Sequence, residues 1–192
     1  MNPSIIFNPF SKFGEWPLLI TGIAATLAGS FIGGYLNMTF DGFMDVHPAE
    51  SDFLQSITEN VINIISVAAI LFFLGLIINR KTRFIDLVNT AIIARIPTYL
   101  AALISANPIL DNFAKRVMEN PADLTNIYGD TTELTIVLVI SCVVMFMFAW
   151  SIILLVNGFR TATNIKKILH WILFVFALIL AEILSKYIIY NI

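Results

Sequence analysis

Charged residues are scarce in this sequence. Only 12% of its 192 residues are charged, against about 25% in ordinary soluble domains. Hydrophobic residues make up 58% of the chain and the mean hydropathy is +0.87. A chain this short has too little interior to hide so much apolar surface from water. The low charge therefore excludes a soluble globular domain, and the net charge of −2, without a basic patch, argues against nucleic-acid binding.

Cysteine and catalytic motifs are also scarce. The single cysteine, Cys142, cannot form an internal disulfide and lies in an apolar run, where it is typical of a small helix residue. The sequence has no HExxH, GxSxG, Walker or CxxC motif. Its apolar segments carry no paired carboxylates spaced for acid–base chemistry. We therefore expect neither an enzyme nor a cofactor.

Apolar segments long enough to cross a bilayer are what the sequence does contain. A membrane-spanning helix needs about 20 apolar residues, and backbone groups in lipid must bond internally. The sequence thus predicts an all-α polytopic membrane protein, with residues 17–190 as one five-helix domain and residues 1–16 as a short cytoplasmic leader. The leader's aromatic residues, spaced by three, allow an interfacial segment. The predicted spans are 17–36, 61–78, 85–106, 135–156 and 168–187.

Basic and acidic residues are divided between the two sets of loops. Seven lysines and arginines fall in the leader and in the turns after the second and fourth spans, whereas loops 41–60 and 107–134 carry ten acids. Short basic loops stay in the cytoplasm. We therefore expect a multi-pass protein of a bacterial cytoplasmic membrane, with its N-terminus inside and its C-terminus outside.

Arg95 stands at the middle of the third predicted span. A charged side chain there costs at least about 2.5–3.5 kcal/mol and usually faces a protein interior or a water-filled cavity. Tyr99 shares its helical face, and Pro97 is expected to kink the helix and free a carbonyl. Arg95 is therefore either part of a polar centre that binds or moves something, or a structural residue that holds helices together.

Glu182, in the fifth span, is the candidate partner of Arg95. Lys186 competes for it because it lies one helical turn further along the chain. The sequence leaves both pairings open. The predicted intramembrane polar centre comprises Arg95, Tyr99 and Glu182.

Two further groups of residues have recognisable patterns. Small residues recur along the first span and predict close helix packing, either within the chain or across a dimer; these are Gly22, Ala25, Gly29 and Gly33. The first outer loop has two carboxylates and an imidazole, a weak candidate metal site; these are Asp41, Asp45 and His47. An ordinary acidic turn explains the same residues.

Three segments resemble the Ypt/Rab-interacting-protein (Yip) family, particularly its short bacterial members. They are Arg83-Phe84-Ile85-Asp86-Leu87, Ala94-Arg95-Ile96-Pro97 and the stretch from Trp150 to Asn157-Gly158-Phe159-Arg160. The opening Phe7–Lys12 and the Asp41–His47 segment are similar to a subgroup in Bacteroidetes-type bacteria. Each motif is weak alone, and their order and spacing carry the resemblance over most of the chain.

The resemblance implies a non-catalytic integral membrane protein with Pro97, Trp150 and Gly158 as fold determinants. Eukaryotic members bind small GTPases through a long cytosolic region, and the 16 residues before the first span do not favour that role here. Bacterial members resemble accessory proteins, some of them encoded beside ABC-type exporters. We expect an accessory or scaffold subunit that contacts lipid and other membrane proteins or itself; the alternative is a small channel or transporter centred on Arg95.

Overall fold

The computed structural model describes residues 3–119 and 131–192. Two short helical pieces, α1 and a 3₁₀ turn, precede the bundle, and a two-residue antiparallel ladder of β1 and β2 lies in the first loop. The helices are α1 (Pro3–Phe7), α2 (Glu15–Leu36), α3 (Phe53–Ile78), α4 (Phe84–Ala94), α5 (Ile96–Ser105), α6 (Pro108–Glu119), α7 (Thr131–Thr163) and α8 (Ile168–Tyr190). The 3₁₀ turn is Pro9–Ser11, β1 is Met38–Thr39 and β2 is His47–Pro48.

Within the described residues, five helical units are long and apolar enough to cross a membrane, which confirms the predicted fold class. They are α2, α3, the broken pair α4–α5, α7 and α8. The predicted bounds agree closely for the first, third and fifth units. Helix α3 begins at Phe53 instead of residue 61, because Asp52 caps it by accepting a hydrogen bond from the Gln55 amide at 2.7 Å. Helix α7 extends beyond the predicted 135–156 at both ends.

The third unit, α4–α5, forms the centre of the bundle. Helices α2, α3 and α7 pack around it, and α8 packs chiefly against α3. In its most apolar stretch 72% of the residues are buried, against 11% in α7. The third unit carries the buried polar residues Asn89, Thr90 and Arg95. Because polar groups are costly in lipid, this unit lies at the centre of the bundle, where the other helices cover it.

Small residues let the helices approach one another within the chain. A side chain at Gly22 would overlap Ile92, one at Gly29 would overlap the Tyr99 ring, and one at Gly33 would meet Phe40 and Ser56. Ala25, on the same helix, is half-buried. The internal contact, one of the two alternatives left open by the spacing, is therefore present in the fold. Gly158 of α7 packs in the same way against the Thr90 side chain.

The leader lies against α7. The Trp150 indole donates to the Ile6 carbonyl at 3.1 Å, and the Asn157 amide donates to the Phe7 carbonyl at 2.8 Å. The Phe7 and Trp150 rings also meet edge to face, 6.4 Å apart. Trp150 thus ties residues 5–7 to the bundle through one hydrogen bond and one aromatic contact.

Gly34 provides a direct stability test of the close packing between α2 and the start of α3. A Cβ at this position would lie 2.5 Å from the Phe53 nitrogen and 2.8 Å from the Asp52 carbonyl carbon, both backbone atoms. We expect Gly34→Ala to lower the free energy of unfolding in detergent by about 1–3 kcal/mol, a cost that exceeds the helix-propensity gain of up to about 1 kcal/mol.

The matched control is Gly14→Ala, because no atom lies within 4 Å of a Cβ built there. Because Gly14 is the N-cap of α2, where alanine is less favourable than glycine, this variant should lower the free energy of unfolding by no more than about 1 kcal/mol. Equal effects of the two substitutions in an SDS or thermal titration would contradict the close approach.

Candidate functional site around Arg95

Arg95 lies at a break in the third unit. Helix α4 ends at Ala94 and α5 starts at Ile96, with Pro97 in the first turn of the new helix. The Arg95 carbonyl accepts hydrogen bonds from the Thr98 amide, the Tyr99 amide and the Thr98 hydroxyl, at 3.0, 3.2 and 2.6 Å. The break expected from Pro97 is therefore present, and the backbone around it is satisfied locally.

The Arg95 side chain is completely buried. One terminal nitrogen donates to the carbonyls of Gly42 and Phe43, at 3.0 and 2.7 Å, and the other donates to the Asn60 side-chain oxygen. The guanidinium carbon also lies 5.3–5.6 Å from three aromatic ring centroids, those of Phe40, Phe43 and Tyr99. Carbonyl dipoles and ring faces thus stabilise the buried cation.

The carbonyls that Arg95 binds belong to a loop that enters the bundle. This segment, residues 38–46, is called the inserted loop below. Met38, Phe40 and Phe43 are each no more than 2% exposed. Non-helical backbone at membrane depth is stable only where it is buried in protein and its polar groups are paired. Arg95 supplies two of the donors that this backbone needs.

Helix α3 supplies further partners for the inserted loop. The Phe40 amide donates to the Glu59 carboxylate at 2.8 Å, and the Phe40 carbonyl accepts from the Asn63 amide at 2.7 Å. Asn60 links Arg95 to α2, because its side-chain oxygen accepts from the Arg95 guanidinium and its amide donates to the Ser30 hydroxyl at 3.0 Å. Both backbone polar groups of Phe40 are therefore paired with side chains one turn apart on a single helix.

Glu182 holds the inserted loop from α8. Its carboxylate accepts the Met44 amide at 3.0 Å and lies 4.0 Å from the Lys186 ammonium, which pairs with Asp45 at 2.5 Å. The hydrogen bonds of Arg95 go to the loop carbonyls and to Asn60, so Arg95 and Glu182 bind the same loop without forming an ion pair. Of the two pairings that the sequence left open, the one with Lys186 is nearer to the observed geometry.

Tyr99 is placed beside Arg95, as its position on the helix suggests. Its hydroxyl donates to the Thr26 hydroxyl at 3.3 Å, and its ring packs edge to face on Phe40 with centroids 5.7 Å apart. Gly29 leaves room for the ring on the side of α2. Arg95 and Tyr99 thus belong to one cluster, whereas Glu182 reaches this cluster only through the inserted loop.

The residues of the weak metal candidate also come together. The His47 imidazole nitrogen lies 3.6 Å from the Asp41 carboxylate and 3.5 Å from that of Asp45. All three side chains are one-third to one-half exposed, and Asp45 is engaged by the Lys186 ammonium. A metal ion would have to compete with Lys186 for its ligand, so the geometry fits an ion-pair cluster better than a metal site.

The surroundings of Asp45 alter the acidity of its carboxyl group. Partial burial disfavours its ionised form, but the hydrogen bond from Lys186, the charge of Lys186 and the contact with His47 outweigh that effect. The pKa of Asp45 is therefore held below its usual value.

Most partners of Arg95 and of the inserted loop escape sequence-based prediction. Glu59 and Asn60 precede the predicted second span, and Phe40 lies in a predicted outer loop. One signal was present: Asn60 and Asn63 are polar residues one turn apart beside an apolar run. Such a pair indicates a helix face directed towards protein rather than lipid.

The sequence of this chain matches the model of a protein family. The model of the Yip1 domain matches residues 6–186. The chain belongs to the Yip1 domain family. The match covers the leader from residue 6, the inserted loop and the spanning units of this Yip1-domain protein as far as residue 186, in agreement with the resemblance found in its motifs. Comparisons with curated proteins and with solved structures give no match.

Arg95→Leu tests the role of the buried cation. The substitution leaves the carbonyls of Gly42 and Phe43 and the Asn60 oxygen without their donor, and stranding buried groups of this kind costs about 3–5 kcal/mol. We expect the free energy of unfolding to fall by that amount. Arg160→Leu, on the exposed end of α7, is the control and should change it by about 0.5 kcal/mol or less.

The double substitution Arg95→Leu/Glu182→Leu distinguishes the loop-anchoring geometry from a direct ion pair. In an ion pair, removing both charges would recover much of the lost stability. Here each side chain holds different backbone atoms of the loop, so the double variant should be less stable than Arg95→Leu alone. Recovery of stability would contradict the observed hydrogen bonding.

The lowered pKa of Asp45 predicts a pH dependence with a defined sign. Its ionised form stabilises the fold fully above the unfolded-state pKa of about 3.9, and this contribution is lost as the pH falls through the lower pKa of the folded state. Asp45→Asn should therefore be less stable than wild type at pH 6, with the difference shrinking as the pH falls below about 4. Thermal melting in detergent from pH 6 to 3 measures this.

Asp111→Asn, on α6, controls for the loss of one carboxylate from the same predicted side of the membrane. Its stability difference from wild type should not shrink over the same pH interval in the way expected for Asp45→Asn. A difference for Asp45→Asn that stays constant down to pH 3 would contradict the Asp45–Lys186 interaction.

Proposed function

We propose that this protein is a non-catalytic accessory subunit, or scaffold, of a bacterial inner-membrane complex, with an ABC-type exporter as the candidate complex. The observation that supports the proposal is that the side chains of the polar centre bind other parts of the same chain. Arg95, Asn60 and Glu59 are all at least 97% buried and bind the inserted loop or one another. Groups committed in this way stabilise a rigid framework, which is what a scaffold requires.

The same geometry disfavours the channel alternative. The guanidinium of Arg95 is enclosed by three rings and has no exposed surface. An ion passing Arg95 would have to displace the inserted loop and leave several buried backbone groups unpaired, each at a cost of about 1–3 kcal/mol. The packing around Arg95 therefore favours a structural role for this residue over a place in an ion-conducting path.

Helix α7 is the surface that we assign to the partner. It is the least buried of the five spanning units, and large apolar side chains on it remain exposed within the monomer, among them Leu138, Val139, Met145 and Phe146. Within a membrane such a surface meets lipid or another membrane protein. Since membrane helices associate through packing rather than through water exclusion, we commit to an integral membrane protein as the partner.

Cys142 allows a direct test because it is the single cysteine of the chain and is exposed on α7. A thiol-reactive photo-crosslinker attached to Cys142 in membranes of the host should form an adduct with one defined membrane protein. The same protein should co-purify stoichiometrically with the tagged chain after gentle detergent extraction, as identified by mass spectrometry.

The matched control moves the crosslinker to α2, in the variant Cys142→Ser/Leu27→Cys, because Leu27 is exposed on a different helix. This variant should give lipid adducts only. Recovery of the protein alone, with no protein adduct from Cys142, would overturn the accessory role. Ion or solute flux in liposomes that is lost in Arg95→Ala would instead support the channel.

A further inference from the structure

Two cavities adjoin at the end of the bundle where α2 begins. The first has a volume of about 150 Å³ and a mixed lining, in which apolar residues face the polar side chains of Glu15, Asp86, Asn89 and Thr161. The second is an apolar groove of about 330 Å³ beneath the leader, lined in part by Ile6, Pro17, Ile93 and Leu154. Phe13 and Leu18 line both cavities. The two cavities are therefore neighbours, and below they are called the polar compartment, after its carboxylates and Asn89, and the apolar compartment.

The compartments are ordered along the helix axes. On α2 the lining changes from Glu15 to Thr21, on the third unit from Asp86 to Ile96, and on α7 from Thr161 to Trp150. Each change covers about two to three helical turns, or about 10–16 Å. On all three helices the polar compartment lies at the helix end and the apolar compartment lies deeper in the bundle. This is the shape of an amphiphile with its headgroup at the membrane surface.

The polar compartment has an excess of negative charge. Glu15 and Asp86 are both paired with Arg83, the second at 3.4 Å. Two carboxylates thus share one guanidinium. The Arg83 side chain remains 55% exposed, so it is accessible to a further anion such as a phosphate. A ligand that suits these groups carries a cation next to a phosphate.

Asn89 adds a requirement for a hydrogen-bond donor. It is 2% exposed, and its amide donates to the Glu15 carbonyl at 3.1 Å. Its side-chain oxygen has no hydrogen-bond partner within the described residues, although Asn89 lines the cavity. An unpaired buried acceptor costs about 1–3 kcal/mol. A ligand with N–H groups removes this cost, whereas a quaternary ammonium has no hydrogen to donate.

We propose that this site binds one membrane lipid with a primary ammonium headgroup, namely phosphatidylethanolamine. The ammonium lies among Glu15, Asp86 and the Asn89 oxygen, Arg83 meets the phosphate, and an acyl chain fills the groove beneath the leader. The bound lipid thereby joins the leader to the bundle. This site is independent of the accessory role, because it lies within a single copy of the chain.

The test uses the purified full-length chain in detergent with dioctanoyl lipids that differ only in the headgroup. Binding is measured by native mass spectrometry and by the rise in melting temperature that a ligand of the folded state causes. Dioctanoyl phosphatidylethanolamine should bind about tenfold more tightly than the phosphatidylcholine analogue, as expected for one added charge-assisted hydrogen bond. The phosphatidylglycerol analogue should bind more weakly still.

The substitution Asn89→Leu should reduce the preference for ethanolamine over choline, because it removes one of the three acceptors of the ammonium. If that variant fails to fold, Asp86→Asn keeps the side-chain shape, removes one negative charge and should reduce the preference. Glu50→Gln, an exposed carboxylate in the loop before α3, is the control and should bind as wild type does. Phosphoethanolamine without acyl chains should compete poorly, because it leaves the groove empty.

The proposal would be overturned by equal affinity for the three headgroups, by a preference for phosphatidylglycerol, or by a preference for ethanolamine that is unchanged in both Asn89→Leu and Asp86→Asn. Competition by phosphoethanolamine as strong as that by the full lipid would also contradict it, since the ligand would then be a soluble amine rather than a membrane lipid.

Discussion

The contact between Arg95 and the inserted loop is the interaction on which the rest of the structure depends. Arg95 binds the backbone carbonyl oxygens of Gly42 and Phe43. The contact therefore fixes the position of the loop backbone and does not depend on a particular loop side chain. Without these donors the loop would carry unpaired carbonyls at membrane depth, which membrane proteins do not tolerate. The charged residue that would be costly in lipid is therefore what makes a buried loop stable there.

Other elements of the fold are arranged around this contact. Arg95 binds the loop from the central helical unit. Glu59 and Asn63 of α3 and Glu182 of α8 bind it from two further helices. Gly29 gives the Tyr99 ring space next to the guanidinium. The polar groups thus fix the positions of four spanning units relative to one another, whereas apolar contacts in lipid discriminate poorly between alternative packings.

The order of burial among the helices has a functional consequence. The central unit keeps its polar side chains away from lipid, and α7 and α8 keep long apolar faces exposed. The proposed scaffold role would require both properties, namely a rigid interior and an outer surface suited to lipid or to a partner. The cavities near the start of α2 are different, because there a polar compartment opens next to an apolar groove and unpaired groups remain.

Several features of this protein were determined by the sequence alone. The scarcity of charge required a membrane solvent, the apolar runs predicted five spanning helices, Pro97 predicted the break beside Arg95, and the spacing of small residues predicted close packing. These predictions succeed because each depends on residues near one another in the chain. The spacing could not distinguish packing within the chain from packing between chains, and the sequence could not assign a partner to Arg95 or Glu182.

Only the tertiary structure decided that the two charged residues bind one loop. The loop is more than fifty residues from Arg95 and almost one hundred and forty from Glu182 in sequence, and its contribution is made by carbonyl and amide groups that every residue carries. Side-chain identity therefore contains no signal for this contact. Backbone groups become specific partners only when folding brings them to a buried charge, and this is the physical reason why the sequence could place Arg95 in the membrane but not show what it holds.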